Sequence, residues 1–136
     1  MTVPAAMRIL VVDDNERVRH GVMDILASKS DWQVCGEAKD GVEAIQKARE
    51  LLPDIILLDI SMPGLNGLET ARRLRHDVAS AKILIMSQND PVQLLASATQ
   101  AGAHGCVDKG RLGTDLLSSI ESIAGNAQPH GTSKAD

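Results

Sequence analysis

The chain contains no phenylalanine and no tyrosine, and Trp32 is its only tryptophan. Its core must therefore be aliphatic, built from Val, Ile, Leu, Met and Ala. Cysteine is nearly absent: Cys35 and Cys106 stand alone, with no CxxC and no Cys/His cluster, which excludes a disulfide framework and a cysteine-based zinc site. They read as reduced, packed thiols of a cytoplasmic protein. His20, His76, His104 and His130 share no ligand spacing and read as solvated. Basic charge is not in excess, since 14 Lys and Arg stand against 18 Asp and Glu for a net charge of −4. That balance provides no electrostatic footprint for direct nucleic-acid binding. No run approaches the roughly 18 to 20 apolar residues of a membrane span. Residues 1–12 also lack the basic start and small-residue cleavage site of a secretory signal.

What the chain does have is four short apolar runs, each ending in a residue suited to phosphate and metal chemistry. Ile9-Leu10-Val11-Val12 leads into Asp13-Asp14, and Ile55-Ile56-Leu57-Leu58 into Asp59. Ile83-Leu84-Ile85-Met86 leads into Ser87, and Gly105-Cys106-Val107-Asp108 into Lys109. As parallel strands of one sheet, these runs would deliver three carboxylates, a hydroxyl and an ammonium to the carboxyl edge, where open α/β sheets place their ligands.

The stretches between support that arrangement. Strands are expected at 8–12, 32–37, 54–59, 82–87 and 104–108. The second is the least apolar and reads as an edge strand. The third shows no alternation and should be covered on both faces. Helices are expected at 16–28, with Val18, Val22, Ile25 and Leu26 on one face, and at 41–52, with Ile45, Ala48 and Leu52 inward. Asp40 and Glu43 have capping-box spacing, and Pro53 marks the second helix's end. A third helix carries Leu68, Ala71, Leu74 and Val78, with Arg72, Arg73 and Arg75 as a solvated face. A fourth starts at Asp90-Pro91 and runs to about residue 101, with Gly102 ending it. A fifth spans 114–124, with Leu116, Leu117, Ile120 and Ile123 inward and Gly125 as its stop. Strand–helix units joined by short connections predict an α/β fold: a doubly wound, five-stranded parallel sheet with helices on both faces. The expected strand order is 2-1-3-4-5, as in flavodoxin-like folds, which makes the first and third strands neighbours at the switch point. At 136 residues the chain suits one domain, expected over 1–126 with a polar tail at 127–136.

Three crowded carboxylates repel one another, and a hard divalent cation is the simplest compensation. Mg²⁺ (or Mn²⁺) takes one or two carboxylates and keeps positions for a phosphoryl oxygen. Asp59, ending the central strand, is the candidate nucleophile, since carboxylates form acyl phosphates. Phosphoryl transfer needs mostly positioning and charge neutralisation. The cation, the Lys109 ammonium and the Ser87 hydroxyl provide one partner for each equatorial oxygen.

Here the chain resembles the receiver domain of bacterial two-component response regulators. The resemblance rests on Val12-Asp13-Asp14, on Leu58-Asp59-Ile60-Ser61-Met62-Pro63-Gly64-Leu65-Asn66-Gly67, on Met86-Ser87, and on Ala101-Gly102-Ala103 leading to Lys109. It covers about residues 8–123. Gly36-Glu37-Ala38 with Asp40-Gly41 looks most like receivers that carry a helix-turn-helix output domain. The resemblance implies phosphoryl transfer from a phosphohistidine, on a sensor histidine kinase or histidine phosphotransfer protein, to Asp59. It implies Mg²⁺ held directly by Asp14, largely through water by Asp13, and by the Ser61 backbone carbonyl, with Ser87 and Lys109 in the switch and phosphate-pairing roles. It also implies a downstream effector protein, and a homodimer through the fourth helix, fifth strand and fifth helix.

Three positions depart from the family pattern. Cys106 occupies the place of a switch aromatic, Gln88 stands at the pocket rim where a small residue is usual, and Gly110 replaces a frequent proline. The expectation is a phospho-accepting receiver that signals in trans. The alternatives are a phosphorylation-independent binding module and the regulatory domain of a DNA-binding transcription factor. A haloacid-dehalogenase-type enzyme would need an acid at Ser61. A flavodoxin would need a hydroxyl-rich phosphate loop and aromatic flavin stackers.

Overall fold

Unbroken Ile, Leu and Val runs become strands buried on both faces, because only a strand covered above and below can hide every second side chain as well as its neighbours. The computed structural model describes residues 6–60, 67–88 and 91–125. The elements alternate: β1 (Met7–Val12), α1 (Glu16–Leu26), β2 (Trp32–Ala38), α2 (Gly41–Leu51), β3 (Ile55–Asp59), α3 (Gly67–Asp77), β4 (Lys82–Ser87), α4 (Pro91–Gln100), β5 (Gly105–Asp108), a 3₁₀ turn η1 (Lys109–Arg111) and α5 (Leu112–Gly125). All strand pairs are parallel, in the order β2-β1-β3-β4-β5. The architecture read from the sequence is thus the one adopted, with β2 at an edge and β3 in the centre. The expected Asp90 cap, the loop at 62–66, the Ser61 carbonyl, the lead-in at 1–5 and the tail at 127–136 lie outside the described residues.

Strand alternation sorts the core into two layers. Ile9, Val11, Ile55, Leu57, Leu84 and Met86 face Val22 and Leu26 of α1 and Leu116, Ile120 and Ile123 of α5. Leu10, Val12, Ile56, Leu58, Ile83 and Ile85 face α2, α3 and α4. That second layer is rich in alanine (Ala44, Ala48, Ala71, Ala98, Ala101), whose short side chains let the helices sit close to the branched residues of the sheet. Each fully buried large aliphatic contributes about 1.5–3 kcal/mol, so the absence of aromatics leaves no deficit.

Helix ends follow local chemistry. Asp40 accepts from Glu43 N at 2.8 Å, the cap the spacing predicts, while Glu43 Oε1 reaches one residue further back and accepts from Lys39 N at 2.8 Å rather than from the cap's own amide. Gly102 has φ +97° and closes α4 as expected, and a β-carbon there would press on Arg75 Cγ at 2.6 Å. Three readings need correction. Leu52 does not point inward: proline disfavours helical geometry at the residue before it, so the helix ends at Leu51, and Leu52 is its left-handed C-cap, at φ 50° and 62 % exposed. Leu51 packs on the core instead. His104 is not solvated, since it is half-buried and its Nδ1 accepts from Ile83 N at 3.0 Å, bridging the start of β4. Finally, α1 stops at Leu26 rather than Ser28, and α5 starts at Leu112, two residues before the expected Thr114.

Candidate functional site

Parallel register brings the strand ends to a common edge: Val12 pairs with Leu58, Asp59 with Met86, and Ser87 with Asp108. From β1 the chain passes to β2 on one side, and from β3 to β4 on the other, so a crevice opens between the carboxyl ends of β1 and β3. Asp13, Asp14 and Asp59 line it. One carboxylate oxygen from each lies within 4.8 Å of the others. Asp13 and Asp59 are buried, whereas Asp14 is exposed, so the cluster opens to solvent on the Asp14 side.

The turn after β1 is built by its own polar side chains. Asp13 Oδ1 accepts from Asn15 N at 2.9 Å, and Asn15 Oδ1 accepts from Arg17 N and Val18 N. The cap of α1 is therefore Asn15, which leaves the two aspartates free of capping duty. At the other wall, Asp108 Oδ1 accepts from Gly110 N at 2.8 Å and shapes η1. Lys109 is thereby aimed back over the sheet edge, with its Nζ 2.8 Å from Asp13 Oδ2 and 3.5 Å from Asp59 Oδ2. The resting lysine thus sits closer to Asp13 than to Asp59. Asn15 and Asp108 were not singled out from the sequence; an Asx residue directly before a helix or turn was the available signal.

Burial disfavours the Lys109 ammonium, but its close contact with Asp13 and the charges of Asp59 and Asp13 outweigh it and raise the pKa above the ordinary lysine value. One ammonium against three carboxylates leaves negative charge uncompensated. Asp13 Oδ2 is also buried without a well-aligned hydrogen bond, the Lys109 contact being an ion pair by distance alone, so it keeps a lone pair for another cation. All-oxygen donors, an unaligned buried carboxylate oxygen and an open Asp14 side fit a hard divalent ion that retains waters.

Ser87 ends β4 fully buried beside β3. Gln88, next along, is exposed and joins Lys109, Val18, Gly21, Ile25 and Leu112 around an apolar groove of about 450 Å³ between α1 and η1. Cys106 packs partly buried against the α2–α4 layer, and burial, reinforced by the charge of Asp108, pushes its thiol pKa up. It is a neutral apolar filler rather than a reactive thiolate. Among the described residues no helix is long and apolar enough to cross a membrane.

A fold of this topology with an acid pair after β1, an aspartate ending β3 and a lysine after β5 defines the receivers of two-component signalling. A family model described as the response regulator receiver domain matches residues 9–121, and the chain belongs to that family. It is 38 % identical over 116 residues to the nitrate/nitrite response regulator protein NarL of Escherichia coli K12, covering 85 % of this chain and 54 % of that protein. It is 36 % identical over 135 residues to protein-glutamate methylesterase/protein-glutamine glutaminase 5 of Myxococcus xanthus, covering 92 % of this chain and 39 % of that one. The solved structure of a LuxR-family two-component response regulator from Aurantimonas sp. SI85-9A1 superposes with TM-score 0.84 at 34 % identity, covering 90 % of this chain and 87 % of that one. The chain spans about half the length, or less, of these curated relatives.

Proposed function

We propose that this receiver accepts a phosphoryl group on Asp59 from a phosphohistidine of a sensor histidine kinase or histidine phosphotransfer protein, and that the modification switches binding of an effector. The observation that carries this reading is the Lys109 ammonium within reach of both Asp13 and Asp59 in a crevice that also holds Asp14. An Asp59 carboxylate oxygen attacks phosphorus in line and forms the O–P bond. The N–P bond of the donor breaks with its electron pair left on that imidazole nitrogen, and the ring, protonated on its other nitrogen in the phosphohistidine, leaves as neutral histidine. Lys109 moves its charge from Asp13 toward a phosphoryl oxygen, and the Ser87 hydroxyl donates to another. Asp13, Asp14 and Asp59, with the Ser61 carbonyl that the family resemblance implies, would hold Mg²⁺ or Mn²⁺, which would neutralise phosphoryl charge and relieve the carboxylate repulsion.

The groove beside Lys109 receives an apolar helix face of the donor, because it is the apolar surface adjoining the reacting atoms. Output runs through Ser87 and the segment after it, without an aromatic relay at Cys106, to a surface of α4, β5 and α5 that binds an effector or a second copy. The chemistry of this receiver domain is its own phosphorylation and dephosphorylation, and its acidic charge balance favours protein partners over direct contact of the domain with nucleic acid. Mass spectrometry after incubation with Mg²⁺ and acetyl phosphate should show one added phosphoryl group, absent in Asp59→Asn and without divalent metal. No mass gain in wild-type protein would refute phosphorylation and leave a binding module.

A further inference from the structure

The Asp13-Asp14 turn lies beyond the last strand pairing of β1, where the sheet can satisfy only part of its backbone. Asp13 N donates to Ala38 O, at the end of β2, at 3.0 Å. Its carbonyl accepts from Arg19 Nη1 at 2.6 Å, and Arg19 Nε donates to Glu37 Oε1 at 2.9 Å. Lys47 Nζ in turn donates to the Glu37 carbonyl at 2.7 Å. Only 15 % of the Arg19 side chain is exposed. Both backbone polar groups of Asp13 are therefore tied to the Glu37-Ala38 end of β2, one directly and one through a guanidinium.

We propose that Arg19 is a positioning residue for the divalent-cation site, holding the Asp13-Asp14 turn against β2 so that both carboxylates face Asp59. The inference rests on the reading of those carboxylates as the metal ligands. Arg19 is already paired with Glu37, so its charge is largely spent locally and its contribution is geometric. The two bonds leave from different nitrogens of one planar fork, which lysine does not reproduce. The sign of the effect separates geometry from charge. If Arg19 acted only as a nearby positive charge, removing it would tighten cation binding. If it holds the turn, removing it loosens the ligands and weakens binding.

The test measures Mg²⁺ affinity by calorimetry, Mn²⁺ affinity by electron paramagnetic resonance, and metal-free melting, in wild type, Arg19→Gln, Arg19→Lys and the exposed neighbour Arg17→Gln. Arg19→Gln should weaken both ions by about tenfold, the low end for partners that orient metal ligands. Arg19→Lys, which keeps the charge, should weaken them as well but less, and Arg17→Gln should match wild type. In phosphorylation by acetyl phosphate, the Mg²⁺ concentration for half-maximal rate should rise in Arg19→Gln while the rate at saturating metal returns close to wild type. Unchanged or tighter metal binding in Arg19→Gln, with or without a lower Tm, overturns the proposal. Should Arg19→Gln not fold, unchanged affinity in Arg19→Lys overturns it equally. Wild-type protein that binds neither ion refutes the reading of the site itself, and this inference with it.

Discussion

Neutralising Asp59 should stabilise the metal-free protein, although it deletes the proposed phosphoryl acceptor. Carboxylate oxygens of Asp13, Asp14 and Asp59 lie within 4.8 Å of one another. At an effective dielectric of about 20, each such pair repels by about 3.5 kcal/mol. The Asp59–Lys109 contact at 3.5 Å offsets this with about 4.7 kcal/mol of attraction on the same scale. Asp14 is exposed, so solvent screens its share and about half of that repulsion survives. The balance around Asp59 then favours removal of its charge by only about 0.5 kcal/mol, to which relief of burying an ionised carboxylate adds. Asp59→Asn should therefore be about 1–2 kcal/mol more stable without metal, a rise of several degrees in Tm for a domain of this size.

Divalent metal should reverse the ranking. Mg²⁺ at a hundred times its Kd stabilises the wild type by about 2.7 kcal/mol. The variant, short of one anionic ligand, should gain much less. Differential scanning calorimetry of both proteins, in chelator and in saturating Mg²⁺, gives the four Tm values needed. Wild type melting above Asp59→Asn in chelator, or equal Mg²⁺ shifts in the two proteins, would refute a shared acidic pocket.

Lys109→Met should lower metal-free Tm and slow phosphorylation by acetyl phosphate at least about a hundredfold, since it removes the ammonium beside the buried Asp13 and Asp59 and a partner for the phosphoryl group; stopped-flow or mass-spectrometric rates check this. Gly67→Ala should destabilise by about 2–3 kcal/mol in urea unfolding, because its β-carbon would sit 2.3 Å from Ile60 Cα at the exit of β3. Gly21→Leu should slow transfer from a phosphohistidine donor while leaving acetyl phosphate labelling unchanged, since a β-carbon at Gly21 meets nothing within 4 Å and the added side chain occupies the groove. Burial, with the charges of Lys82 and Arg75, holds the His104 pKa below the ordinary histidine value. The fold thus prefers it neutral, its stabilisation is complete above about pH 6.5, and it declines as pH falls below that value. His104→Gln should flatten this loss when urea midpoints are compared between about pH 8 and about pH 5.

The parts of the molecule that could be read from the chain are those governed by pattern. Uninterrupted apolar runs such as Ile55 to Leu58 have one stable placement, the middle of a doubly covered sheet, and the parallel crossovers then determine which strand ends meet. That logic alone brings Asp13, Asp14, Asp59 and Lys109 to one edge. What escaped was set by single contacts. Leu52 fits the helical period, but the proline after it excludes helical geometry, and the residue becomes a left-handed cap with its side chain outward. His104 fits any solvated loop until it is seen that its imidazole accepts the Ile83 amide in place of a strand carbonyl. Helix boundaries at Leu26 and Leu112 shift by two residues, because turn hydrogen bonds and the η1 geometry decide them rather than hydrophobic period. The resting contact of Lys109 with Asp13 belongs to the same class. Spacing brings a lysine near three acids but does not rank them, and the ranking depends on how Asp108 bends the chain before it. The turn residues Asn15 and Asp108, and Arg19 behind the turn, carry no signature of phosphoryl chemistry. They bear on the site through the backbone they hold, which is why site chemistry was legible and its scaffolding was not.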